Sequence, residues 1–155
     1  MTGIRRILVP VDFSECSHRA LDYAVFVAER FDATVEVLHV WEAPQYAGME
    51  VVVQMPGDVH QSLAQFVQDQ ARAELRKMMA PLEARGDVRV NEHLETGEPC
   101  DVIVRRVTEL GCDLVVVGTH GRRGISHLLM GSVAERVVRR APCPVLTVRQ
   151  SVPAK

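Results

Sequence analysis

Short apolar runs rich in β-branched residues recur along the chain, and a stretch of helical periodicity separates each from the next. The runs are Ile4 to Val11, Thr34 to Val40, Val88 to Leu94, Leu114 to Val117 and Pro144 to Arg149. Strands that alternate with helices cannot pair as tight hairpins. They cross over instead, and the crossover helices cover both faces of a parallel sheet. Right-handed crossovers restrict the topology further. The sequence therefore predicts an α/β fold: a single-domain, open five-stranded parallel sheet with helices on both faces. A chain of 155 residues suits one domain, here 1–150, followed by a flexible tail, 151–155. A domain of this size buries a full core without disulfides or structural metal.

The helices have local signals. Ser14 is placed to cap a helix from Glu15 to Phe31, whose Ala20, Ala24, Ala28 and Phe31 fall on one stripe. A second helix is expected from Val59 to Arg85, with Leu63, Phe66, Val67, Leu75, Met78 and Leu82 inward. Gly86 ends it, and Pro81 is expected to kink it or stop it early. Pro99 sits at the first turn of a third helix, Pro99 to Leu110, closed by Gly111. A fourth runs from Ser132 to Arg140. Between the second strand and second helix lies an irregular stretch, Glu42 to Asp58, whose Val51-Val52-Val53 suits a short edge strand or a lid. The alternating third strand suits the edge of the sheet, whereas Leu114 to Val117, unbroken in its apolar character, suits the centre.

The chemistry concentrates in the loop Gly118 to Ser132, which leaves that central strand and delivers the chain to a helix N-terminus. Ligands of open parallel sheets bind beyond the carboxyl ends of the strands. A helix N-terminus offers unpaired N–H groups and partial positive charge, both suited to phosphate. Glycine lets backbone amides approach phosphate without an intervening Cβ, and Arg122 and Arg123 add charge-assisted donors. The spacing is G-x2-G-x9-G-S, carried by Gly118, Gly121, Gly131 and Ser132. It is neither a Walker loop nor G-x-G-x-x-G. Ser132 and Glu135 also make the S-x-x-E pattern of a capping box, so Ser132 either caps its helix or meets phosphate. Asp12 reads as a ribose or metal ligand, or as a carboxylate capping the first helix.

Taken together, Val9-Pro10-Val11-Asp12, Leu38-His39-Val40, the glycine spacing and Ala141-Pro142-Cys143-Pro144-Val145-Leu146 resemble the universal stress protein family, in its nucleotide-binding subgroup. The likeness covers Ile4 to Arg149. It implies the strand order 3-2-1-4-5, which makes the first and fourth strands neighbours and places Asp12 and Gly118 in one crevice. It also implies ATP, or ADP or AMP, as ligand. Pro10, Val11, Asp12 and Val40 would line the adenine and ribose; Val117 and Gly118 would lie beside the sugar; Gly121, Gly131, Ser132 and Val133 would hold the phosphates, with Arg122 and Arg123 nearby. Mg²⁺ is expected to accompany ATP, held mostly by phosphates and water because the loop has no carboxylate. Members of the family pair their last strand across a two-fold axis, so the resemblance implies a homodimer through 144–149.

The remaining observations narrow the class. A net charge of -2 gives no reason to expect nucleic acid or an anionic membrane as partner. No apolar run approaches the roughly 18 residues that cross a bilayer. The N-terminus enters a strand pattern without an h-region, so a cytoplasmic location is expected. Cys16, Cys100, Cys112 and Cys143 form no C-x-x-C pair and read as packed thiols, with redox sensing by Cys16 the lesser alternative. His39 is expected to pack at a strand end, and His120 and His127 flank the loop as solvated or phosphate-contacting groups. No nucleophile and base can be paired by spacing, so no catalytic residue is assigned and no side chain is assigned as a metal ligand. The leading reading is a stress-response regulator that binds ATP with slow or no hydrolysis. The alternatives are an ATPase or nucleotidyl-transfer enzyme, and a factor binding an unknown protein partner through the 42–58 loop.

Overall fold

A computed structural model describes residues 3–42, 52–55, 59–120 and 130–149. Strand β1 (Arg6–Val11) leads to helix α1 (Glu15–Phe31) and strand β2 (Thr34–Trp41). A small antiparallel hairpin follows, β3 (Val52–Met55) with β4 (Val59–Ser62), before helix α2 (Leu63–Arg85) and strand β5 (Arg89–Thr96). Helix α3 (Pro99–Leu110), strand β6 (Leu114–Gly118), helix α4 (Ser132–Arg140) and strand β7 (Val145–Val148) complete the order. The five parallel strands lie in the order β5-β2-β1-β6-β7, which is 3-2-1-4-5 when the hairpin is left aside.

That order follows from where the crossovers go. From β1 the chain moves outward through α1 and α2 to the edge strand β5, then returns through α3 to the far side of β1. With one hand of crossover, this reversal puts α1 and α2 on one face and α3 and α4 on the other. Burial agrees with it. Ile7, Val9, Val35, Val37 and Val116 pack with Ala20, Leu21, Ala24, Val25, Ala28, Leu75 and Met79 on the first face. Leu8, Leu38, Val115 and Val117 pack with Ile103, Val107, Ala134 and Val137 on the second. Neighbouring residues of one strand thus feed opposite cores, as the two-residue strand period requires.

Three expectations are corrected. Val59 to Ser62 is a strand of the hairpin and not the first turn of α2. Ser62 is the cap instead, its hydroxyl oxygen accepting from the Gln65 N–H. Pro81 does not end α2, which continues to Arg85 and stops at Gly86. The inward face of α2 is also narrower than expected: Ala71, Leu75, Met78 and Met79 are buried, whereas Leu63, Phe66, Val67 and Leu82 are half-buried.

Polar groups also cross-link the sheet. Glu36 on β2 is 2% exposed, and an isolated buried carboxylate would be costly. Its oxygens meet Arg6 Nε at 3.3 Å, Asn91 Nδ2 at 3.2 Å and His93 Nε2 at 2.7 Å. His93 Nδ1 accepts from the Arg106 guanidinium at 2.7 Å, a group that can only donate. Nε2 of His93 therefore carries the proton given to Glu36, and edge strand β5 is tied to both β2 and α3.

Candidate functional site

The strand order reverses between β1 and β6, the switch point at whose carboxyl end open parallel sheets form a ligand crevice, and loop geometry there is set by local hydrogen bonds. Asp12 Oδ1 accepts from the Ser14 N–H at 3.0 Å, which closes the turn after β1. Ser14 is the cap of α1: its Oγ accepts from the Ser17 N–H at 3.2 Å. Asp12 therefore shapes the turn and leaves the cap position to Ser14, contrary to the helix-capping alternative. Phe13 between them has φ 64°, a left-handed conformation that costs a bulky side chain free energy. Packing holds it there. The Phe13 ring lies 4.3 Å from the ring of His39, whose Nδ1 donates to the Val11 carbonyl at 2.7 Å. His39 is thus packed at the end of β2 as expected. The Phe13 conformation had no signal in the sequence.

Across the crevice, β6 ends at Gly118. A Cβ on Gly118 would lie 3.0 Å from the carbonyl carbon, the carbonyl oxygen and the Cβ of Cys16, so glycine is what lets β6 press against the first turn of α1. Thr119 follows, 3% exposed, its N–H donating to the Val148 carbonyl at 2.9 Å and its carbonyl accepting from the Gly131 N–H at 2.6 Å. The second bond closes the loop, returning the chain to where it left the sheet. Gly131 is the cap of α4 and supplies no side-chain cap bond. Ser132 stands one position inside the helix, so the expected Ser132–Glu135 capping box does not form. Its exposed side chain and the first N–H groups of α4 lie at the crevice without side-chain caps.

Of the residues expected to bind a ligand, Pro10, Val11 and Asp12 end β1, Val40 lies near the end of β2, and Val117 and Gly118 end β6. Gly131, Ser132 and Val133 begin α4. Gly121, Arg122, Arg123 and His127 lie outside the described residues. The fold gathers the others at the carboxyl edge of β1, β2 and β6. Sequence reasoning passed over Thr119, and His120 next to it has a buried Nε2 without a hydrogen-bond partner among the described residues.

Other chemistry is weaker here. No group of three or more His, Cys, Asp or Glu able to hold a metal occurs among the described residues. Burial, reinforced by the Glu36 carboxylate, pushes the Cys112 thiol up to about 12, and burial raises Cys143 as well. These two thiols are poor nucleophiles at neutral pH. No helix among the described residues is long and apolar enough to cross a membrane.

An adenine nucleotide, the ligand implied by the resemblance, fits what these residues provide. An uncapped helix N-terminus, an exposed hydroxyl and an unpartnered buried ring nitrogen are all groups that a phosphate can satisfy. In comparisons with known proteins, residues 3–149 match the universal stress protein family. The chain is 31% identical over 147 residues to the universal stress protein MJ0531 of Methanocaldococcus jannaschii, spanning 94% of this chain and 82% of that protein. Among solved structures it is similar to hypothetical protein MJ0577, with a TM-score of 0.78 and 26% identity over 97% of this chain and 99% of that one. It is also similar to a universal stress protein crystallised in complex with cAMP, with a TM-score of 0.69 and 27% identity over 97% and 100% of the two chains.

Proposed function

This chain belongs to the universal stress protein family, and from that premise we propose that it binds an adenine nucleotide in the crevice between β1 and β6 and acts as a cytoplasmic stress-response regulator. The observation that carries the proposal is the start of α4. A glycine-rich loop returns to the switch point of the sheet and presents a helix N-terminus with no side-chain cap. The cAMP held by the relative described above supports adenine as the base. The length of the loop suits a polyphosphate, and ATP is the nucleotide we propose.

In this reading Pro10, Val11, Asp12 and Val40 line the adenine and ribose, and Val117 and Gly118 flank the sugar. Gly131, Ser132 and Val133 meet the phosphates, joined by Gly121, Arg122 and Arg123 of the loop. Mg²⁺ accompanies ATP to neutralise crowded phosphate charge, held by phosphate oxygens and water. The protein's own groups bind and orient. In this reading occupancy of the site carries the signal, and any hydrolysis is slow.

The test is mass spectrometry of small molecules released from denatured protein purified without added nucleotide, followed by calorimetry with ATP and Mg²⁺. The comparison variant is Gly131→Val, whose new Cβ would sit 3.1 Å from the Thr119 carbonyl oxygen. The expected result is ATP or ADP from the parent and at least tenfold weaker binding in the variant. A parent that releases no nucleotide and gives no heat with ATP, ADP, AMP or cAMP overturns the proposal.

A further inference from the structure

His120 sits where two helix N-termini converge. Its carbonyl oxygen lies 3.5 Å from the Oγ of Ser14, the cap of α1. Its Cα lies 3.9 Å from where a Cβ would stand on Gly131, the cap of α4. The imidazole Nδ1 is 2.9 Å from Thr119 Oγ1. Nε2 is buried and has no hydrogen-bond partner among the described residues. A buried polar atom without a partner costs stability, and such atoms in native proteins call for an explanation.

Proton accounting selects the tautomer. If Nδ1 carried the proton, it would donate to Thr119 Oγ1. The hydroxyl hydrogen of Thr119, 3% exposed, would then need a different acceptor, and none is found among the described residues. Nε2 would be a second unmet group. If the Thr119 hydroxyl instead donates to Nδ1, that hydrogen is satisfied and a single unmet group remains, the Nε2–H. Thr119 itself is fixed by the backbone bonds to Val148 and Gly131. The ring is therefore anchored on one nitrogen and holds a donor on the other.

We infer that the His120 Nε2–H is a binding donor reserved for a phosphate oxygen of the nucleotide, shared with the first N–H groups of α4. The inference rests on the nucleotide-binding reading and adds a residue and an assigned atom to it. An anionic oxygen is the acceptor that a helix N-terminus and a neutral ring N–H favour together. Thr119 is a positioning residue that sets the tautomer. With its proton on Nε2, His120 cannot serve there as a base toward an attacking water.

The experiment compares ATP, AMP and adenosine by calorimetry on the parent, His120→Leu and His120→Gln, with nitrogen-15 NMR of the His120 ring in the parent. Expected are an Nε2–H tautomer in the free protein and a downfield shift of that proton when AMP is added. His120→Leu is expected to weaken ATP and AMP by about tenfold to a hundredfold, leave adenosine unchanged, and raise the melting temperature of the nucleotide-free protein by removing the unmet donor. His120→Gln, whose amide can donate from a similar place, is expected to recover part of the loss. A parent that binds no adenine compound overturns the nucleotide reading itself. A parent that binds ATP while His120→Leu binds it equally well overturns this inference alone, as does an Nδ1–H tautomer or an equal loss of adenosine affinity.

Discussion

A methyl group on Gly118 would stand 3.0 Å from three atoms of Cys16, two of them backbone atoms in the first turn of α1. Backbone cannot step aside as a flexible side-chain tip does, so Gly118→Ala must move β6 or α1. Overpacking of this kind costs about 1–3 kcal/mol, and a urea midpoint that falls with an unchanged slope would measure it. A change within about 0.5 kcal/mol would show that the contact relaxes freely. The sequence marked Gly118 as a ligand position through its spacing. The packing reason was not legible, because Cys16 is remote in the chain. Ser132 shows the reverse case. Its S-x-x-E pattern is a genuine local signal, yet the helix begins one residue earlier than that pattern requires, with Gly131 as cap. Phe13 at φ 64° is invisible to any propensity argument, since the strain is offset by a ring contact with His39, on the next strand.

Helix α4 is only nine residues long and carries the start of the candidate site, so what holds it matters. Arg136 reaches Glu98 at 2.7 Å, and Arg140 reaches Asp101 at 2.6 Å, both on the first turn of α3 or at its cap. Glu98 also caps α3 by accepting from the Asp101 N–H at 2.9 Å. Burial opposes its charge, but the Asp101 N–H and Arg136 outweigh it and hold the carboxyl below the usual carboxylate range. Its stabilising contribution is therefore present above about pH 4.3, the ordinary value for glutamate, and is lost as pH falls through the lower folded value. Glu98→Gln is expected to be less stable than the parent at pH 7, by roughly 0.5–2 kcal/mol for a weakened cap. That gap should close as the pH falls below about 4. Thermal melts of both proteins from pH 7 to 3 would read it, and a gap that stays constant over the whole range would refute the assignment. The spans of α1 and α3 were legible because their caps and breakers are local: Ser14, Pro99 and Gly111 each act within a turn. The hairpin was missed because strand pairing is not local, although Ser62 followed by Gln65 is a capping signal that could have separated Val59 to Ser62 from α2.

For the molecule as a whole, the unfinished surface is the edge beyond β7. In the five-stranded sheet β2, β1 and β6 are paired on both sides, and the other edge strand, β5, is kept polar by residues such as Arg89, Asn91 and Glu92. At β7 the exposure is apolar instead: Leu146 is 36% exposed, with Val138 of α4 at 44% and Met130 at 39% nearby in the chain. Among the described residues nothing pairs its outer side. An apolar edge strand of this kind invites pairing with another chain, and a two-fold axis lets identical edges satisfy each other. We propose that the chain forms a homodimer through β7. Light scattering at micromolar concentration is expected to give twice the monomer mass, and Leu146→Asp is expected to give monomer with its circular dichroism unchanged. A parent that stays monomeric at that concentration refutes the interface; a Leu146→Asp variant that stays dimeric moves it elsewhere on the surface. The outcome reaches the site as well. Val148, at the end of β7, accepts from Thr119 N–H, and Thr119 in turn holds both Gly131 and the His120 ring. A partner strand that stiffens β7 would stiffen that chain of bonds, so the monomeric variant is expected to bind nucleotide more weakly than the dimer although no residue of the crevice has changed.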